Sequence, residues 1–188
     1  CVGDIGSHIE HTVSYITGLE INELSAQLDN FGGEDRPLDT NAVIMLRYKN
    51  GAVGNYWCSQ VAIGYDNGLT VRIFGTKGAI EWKQENPNYL KVSKIDEAPQ
   101  LLSRGNGYFH PEAAAMSRLP SGHPEGYHDL FANTYLKFTN ALLKLKAGEK
   151  LREEDLDFPT AKAGVSGVKF INKCVESSQN GAAWVKFD

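Results

Sequence analysis

Residues 41–61 read NAVIMLRYKNGAVGNYWCSQV, two β-rich runs joined by Asn50-Gly51. Branched and aromatic side chains suit a pleated, half-buried surface. Asn-Gly between two such runs predicts a tight type I′ hairpin, because both central residues of that turn need positive φ. The flanking sequence continues the theme. INELSAQLDNF (21–31) precedes it as a strand, and FGGEDRPLD, rich in Gly, Pro and Asp, forms the loop between them. LTVRIFGTKGAIEWKQ (69–84) is a second hairpin turning at Gly75-Thr76-Lys77-Gly78, and YLKVSKI (89–95) reads as an edge strand. Hairpin follows hairpin with no helix between strands, which argues against alternating βαβ units.

Helices bracket this run. Residues 5–17 form the first, stopping at Gly18, a residue suited to the left-handed position that ends a helix. HDLFANTYLKFTNALLKLKAG (128–148) places Phe131, Tyr135, Phe138, Leu142 and Leu145 on one apolar stripe. Pro159 opens TAKAGVSGVKFINKCVESS, in which Val165, Val168, Ile171 and Val175 are expected to pack inward, and AAWVKF closes the chain as a short strand. Residues 97–124 show no sustained period and hold four of the seven prolines. The fold class is therefore α+β: an open, mostly antiparallel sheet with helices packed on one face. Apolar residues on both sides of the strands 42–46 and 56–61 call for burial of the other face as well, so a sheet-mediated homodimer or dimer of dimers is expected.

At 188 residues the chain suits one domain with a real core. A net charge of −4 offers no field for nucleic acid or anionic membrane, and no apolar run reaches the ~20 residues of a membrane span. Cys1, Cys58 and Cys174 are too few and too scattered for a disulfide framework, which makes a reducing cytoplasm the default. No Gly-x-Gly-x-x-Gly follows a strand, and no phosphate-binding P-loop occurs.

The chemistry concentrates at the start, in DIGSHIEH (4–11). At about 100° per residue from Asp4, His8 falls near 40°, His11 near 340° and Tyr15 near 20°, whereas Ile5, Ile9, Val13 and Ile16 gather between about 100° and 180°. The helix thus has a packing side and a side collecting a carboxylate, two imidazoles and a phenol, with Ser7, Glu10 and Ser14 in the solvated remainder. Asp4 reads equally well as an N-cap, its carboxylate accepting from the amide of residue 6 or 7.

DIGSHIEHTVSYITG, FGTKGAIEW, SGHPEGYHDLFANTY and FPTAKAGVSGVKFINKCVESSQNGAAWV, in that order, resemble successive stretches of the C-terminal domain of Gfo/Idh/MocA (glucose–fructose oxidoreductase / inositol dehydrogenase) proteins. The resemblance runs from residue 3 to about residue 187. It implies a glyceraldehyde-3-phosphate-dehydrogenase-like α+β domain that contacts substrate and forms a dimer sheet. It also implies an N-terminal Rossmann domain, carrying NAD or NADP, upstream of Cys1. On that reading residues 1–188 are the C-terminal substrate-binding and dimerisation domain, inactive alone. The family's catalytic lysine, in a Glu-Lys-Pro motif, does not occur in this chain. The family's Asp-x-x-x-His element falls on Asp4 and His8; His11 stands where the family more often has Asp, which leaves the substrate open.

Oxidising a secondary hydroxyl of a sugar or polyol, or reducing the corresponding ketone, moves a hydride and a proton. A neutral imidazole is a suitable proton acceptor. His8 is assigned that role and Asp4 the positioning of it, with His8 in a first helical turn whose dipole favours the neutral ring. His11, Arg118, His123, Glu125 and His128 are candidate substrate contacts, against plainer readings as core, capping or solvated residues. Tyr108 and His110 are candidate lid residues, and the three tryptophans are read as core or sheet-face aromatics. Two rival readings stand beside this one: a metal-dependent sugar lyase or isomerase using the same carboxylate and imidazoles, disfavoured by the missing His-Glu-x-x-His signature, and a sugar-binding or scaffold protein without activity.

Overall fold

The computed structural model describes residues 1–33 and 35–188. Helices and antiparallel strands give the α+β class, but the strands divide into two four-stranded sheets instead of one. The chain forms two compact units, Cys1–Tyr65 with Thr160–Asp188, and Asp66–Pro159.

The first unit opens with a π-helical turn, Val2–Gly6, that runs into α1, Ser7–Thr17. Gly18 ends α1 at φ 64°, as a left-handed terminal glycine should. Strands β1 (Ile21–Asp29), β2 (Asn41–Tyr48) and β3 (Val53–Ser59) follow as an antiparallel meander, and the C-terminal β8 (Val185–Lys186) completes a sheet of order β3-β2-β1-β8. Along β2 burial alternates: Ala42, Ile44, Leu46 and Tyr48 point inward, Val43, Met45 and Arg47 outward.

The turn between β2 and β3 is not type I′. Only Gly51 takes a positive φ, 89°. The Gly51 amide donates to the Tyr48 carbonyl at 3.0 Å and the Tyr48 amide to the Ala52 carbonyl at 2.9 Å. This is a three-residue connection with one left-handed glycine, a common alternative hairpin closure. The Asn50 carboxamide oxygen accepts from the Ala52 amide at 3.1 Å and holds that geometry.

Helix α4, Ala161–Gln179, covers the inner face of this sheet through Phe170, Cys174 and Ser177, at i, i+4 and i+7. Of the expected inward set, Ile171 packs against this core, whereas Val165 and Val168 are 69% and 58% exposed. The periodicity misled because a serine and a cysteine sit in the true stripe. Ser177 Oγ accepts from the Ala26 amide at 2.9 Å and donates to the Ala183 carbonyl at 2.6 Å, and Ser178 Oγ accepts from the Leu28 amide at 3.2 Å. Strand β8, Val185–Lys186, pairs with β1 only at Glu23 and Leu24. The serines therefore satisfy the β1 edge that β8 leaves open. Leu24, Ala26, Ile44, Leu46, Tyr56 and Cys58 complete the core against Phe170, with Ile5, Ile9 and Val13 at its margin.

The second unit carries β4 (Thr70–Phe74), β5 (Gly78–Lys83), β6 (Tyr89–Lys94) and β7 (Gln100–Ser103) in sequential antiparallel order. Strand β6 is thus interior, not an edge: β7 pairs outside it, Leu90 opposite Leu102. A short α2, Pro111–Ala115, precedes α3, Tyr127–Lys146. Helix α3 turns Ala141 inward, and Lys144 pairs with Asp155 at 2.5 Å while Lys137 pairs with Asp157. Its stripe Phe131, Tyr135, Phe138, Leu142 and Leu145 remains exposed within this unit. No described helix is long and apolar enough to cross a membrane.

Candidate active site

Asp4, His8 and His11 all lie exposed on the first helical run. That run begins earlier than the sequence suggests, so Asp4 sits inside it and not at its cap. The cap comes from far along the chain: Asp39 Oδ2 accepts the Val2 amide at 2.6 Å. The Asp4 carboxylate accepts instead from Gln60 Nε2 at 3.2 Å. Because the helix starts at Val2, His8 lies beyond the first turn, where end effects of the dipole have faded. The helix dipole therefore lends His8 no support as a base. The π turn also breaks the 3.6-residue wheel between Asp4 and Gly6.

The opposite side of the run is built for close packing. A Cβ on Gly6 would stand 3.0 Å from Val2 Cγ2 and 3.5 Å from Cys58 Sγ, so glycine lets the helix settle on β3. Glu10, expected in solvent, is 5% exposed and packs inward, and burial raises its carboxyl above the ordinary range. Burial likewise pushes the Cys58 thiol up to about 11 and the Cys174 thiol higher still, which makes both unreactive structural thiols. What faces outward is acid–base and hydrogen-bonding chemistry; what faces inward is core.

The remaining candidates belong to the second unit. Glu125 is buried, and its Oε1 accepts from the amides of Arg118 (2.5 Å) and Leu119 while pairing with Arg104 Nη1 at 3.2 Å. That carboxylate is committed to holding its own loop. Arg118 is exposed and donates through Nε to Asn133 Oδ1 at 2.8 Å. His123 and His128 are exposed, and His123 lends its carbonyl to Arg104 Nη2. Of the two lid candidates, Tyr108 ties its hydroxyl to Ser103 (amide donor at 2.9 Å) and His110 pairs with Glu112. Trp57 stands on the outer sheet face, its Nε1 donating to Asn41 Oδ1 at 2.9 Å, and the Arg47 guanidinium lies 4.0 Å from the Trp184 ring centre. Among the described residues no three His, Cys, Asp or Glu side chains gather as a metal ion would require.

Three residues went unnoticed in the sequence: Gln60, Asp39 and Arg104. Gln60 meets Asp4 across 56 positions and Asp39 meets Val2 across 37, contacts that no local motif announces. Arg104 donates to Asn88 Oδ1 and to the carbonyls of Leu119 and His123, so a single guanidinium gathers the loop 117–126.

By architecture the chain is an α+β domain of helices and antiparallel sheets, with a carboxylate and two imidazoles exposed on its first helical run. Residues 1–81 match the GFO/IDH/MocA C-terminal domain family. An uncharacterized oxidoreductase of Bacillus subtilis, YfiI, is 35% identical over 187 residues, covering 99% of this chain and 48% of that protein. The crystal structure of an oxidoreductase from Sinorhizobium meliloti superposes with a TM-score of 0.91 at 43% identity, covering 98% of this chain and 52% of that one. An inositol dehydrogenase homolog from Azotobacter vinelandii, complexed with NADH and myo-inositol, superposes with a TM-score of 0.92 at 33% identity, covering 97% and 48%. The chain thus spans about half the length of the relatives it matches.

Proposed function

We propose that this chain is the substrate-side half of an NAD(P)-dependent dehydrogenase acting on a secondary hydroxyl of a sugar or polyol. The observation that carries the reading is the exposure of Asp4, His8 and His11 on one helical run whose other side is core. None of the three is in an ion pair among the described residues, and Asp4 meets only the neutral carboxamide of Gln60, so a carboxylate and two imidazoles are presented to whatever covers the helix. The complex of the Azotobacter vinelandii homolog with NADH and myo-inositol supports the substrate class.

A nicotinamide dinucleotide supplies the hydride acceptor. No glycine-rich phosphate loop occurs in this sequence, so its phosphates are held by another domain, which we place upstream of Cys1. The residues of this chain do the proton chemistry and the orienting. His8 accepts the hydroxyl proton as the carbon gives up its hydride, and returns it in the reverse direction. Asp4 accepts from a vicinal hydroxyl and fixes the ring against His8. His11 contacts a further hydroxyl. The outer face of the first sheet, with Val43, Met45, Val53 and Trp57 exposed, forms a homodimer contact.

The test is turnover by the full-length protein with NAD+ and NADP+ against a panel containing myo-inositol, other inositols and pyranoses, followed by nicotinamide absorbance. Cofactor reduction with at least one polyol is the expected result. Binding of a polyol without turnover of any panel member would favour the scaffold reading and overturn this one.

A further inference from the structure

We propose that Gln60 is a positioning residue for Asp4, holding the carboxylate in the one orientation that serves substrate; this inference rests on the function proposed above. Gln60 follows directly on β3, and its Nε2 donates to Asp4 Oδ2 at 3.2 Å. A carboxamide facing a carboxylate must present its NH2 group, so the donor assignment is fixed by chemistry. No other hydrogen bond to the Asp4 carboxylate occurs among the described residues, which leaves Oδ1 for substrate.

The bond is part of a closed circuit. The Gln60 amide donates to the Thr40 carbonyl at 2.8 Å. Thr40 is buried, and its Oγ1 accepts the Phe31 amide at 2.8 Å. The adjacent residue, Asp39, accepts the Val2 amide two positions before Asp4. Two consecutive residues thus grip both ends of the Asp4 arrangement: Asp39 fixes the backbone that carries the carboxylate, and Thr40 fixes the residue that orients it. A neutral donor in this place orients Asp4 without pairing its charge, so the oxygen turned to substrate keeps its full strength as an acceptor. Arginine or lysine there would form a competing ion pair. Gln60 stands in an exposed segment, where the contact costs the side chain rotamer freedom and adds nothing to core packing.

The experiment is a double-mutant cycle in the full-length enzyme, with NAD+ and the polyol it turns over fastest. Gln60→Met, isosteric and without a donor, is expected to lower kcat/KM about tenfold in the parent background, the scale of one lost hydrogen bond to a charged group, and to change nothing further in an Asp4→Asn background. An equal loss in both backgrounds, or no loss in either while Asp4→Asn and His8→Asn are impaired, overturns the inference and leaves the functional reading intact. Full activity of Asp4→Asn and His8→Asn would instead overturn the functional reading. A crystal structure of Gln60→Met gives a readout independent of turnover: the Asp4 side chain is expected in a new rotamer on an unmoved backbone, and an undisplaced Asp4 overturns the inference.

Discussion

Tyr48 and Tyr56 meet hydroxyl to hydroxyl at 2.8 Å in the interior of the first unit, and the Glu10 carboxyl lies close enough to act on both. Burial raises the titration of both phenols, and a charge on Glu10 raises them further. Burial also raises Glu10 itself. Its proton is therefore held more tightly in the folded chain than in the unfolded one. Below the ordinary carboxylate range, about 4.3, both states are protonated and the stability Glu10 allows is fully present. As pH rises through that value the unfolded chain ionises first, and stability is lost until the folded-state titration point is passed. Glu10→Gln lacks this loss. It is expected to match the parent near pH 4 and to melt a few °C higher at neutral pH, as read by calorimetry across pH. A difference that stays flat with pH would show that Glu10 ionises as freely inside as outside.

Removing the proton acceptor tests the chemistry directly. His8→Asn in the full-length enzyme is expected to lower kcat by 10²–10⁴-fold, the usual worth of general acid–base catalysis, with little change in melting temperature because His8 is exposed. Asp4→Asn is expected to raise KM as well as lower kcat, since it touches substrate. Steady-state kinetics of the two variants beside the parent decide it; near-parental turnover by His8→Asn would remove His8 from the mechanism.

How much of this could be read from the sequence follows the range of each interaction. The α+β class, the Gly18 stop and the meander of hairpins are local signals and stand as read. The outward Asp4, His8 and His11 follow from the apolar pattern of Ile5, Ile9 and Val13. Failures come where partners are distant or polar. The true cap, Asp39, is 37 residues from the helix it caps. The buried stripe of α4 contains Ser177, which hydrogen bonds explain and hydropathy hides. Glu10 looked solvated because a carboxylate inside is disfavoured, and β7 was masked by a loop-like composition. Nothing near Gln60 in the chain marks it as the partner of Asp4.

The Arg104–Glu125 pair should behave as the fastening of its loop. The two side chains are 19% and 6% exposed, and each also binds backbone groups of residues 117–126. Removing one partner of such a pair leaves the other buried and uncompensated, at a cost of about 3 kcal/mol. Glu125→Ala is expected to abolish amide protection at Arg118 and Leu119 and to admit proteases to the loop, while hydrogen exchange in β1–β3 stays unchanged. Retained protection at those two amides would mean that the loop is held by other contacts.

The outer face of the first sheet exposes large apolar side chains. Val43 and Trp57 are cross-strand partners in the β2–β3 ladder, and Met45 follows Val43 on the same face. Their exposures, 45%, 57% and 49%, with 78% for Val53, leave a contiguous apolar surface on the side away from α4. In a two-fold contact each substituted residue enters twice, so Met45→Lys would bury two like charges in an apolar layer. A penalty of about 3 kcal/mol or more is expected, which weakens association roughly 100-fold or further. Sedimentation equilibrium of the full-length protein should show a dimer or higher assembly for the parent and monomer for Met45→Lys at the same concentration. The melting curve of the variant monomer should keep its cooperativity, because the substituted side chain faces away from the core. A parent protein that sediments as a monomer, or a variant that assembles as tightly as the parent, would show that this face serves some other contact.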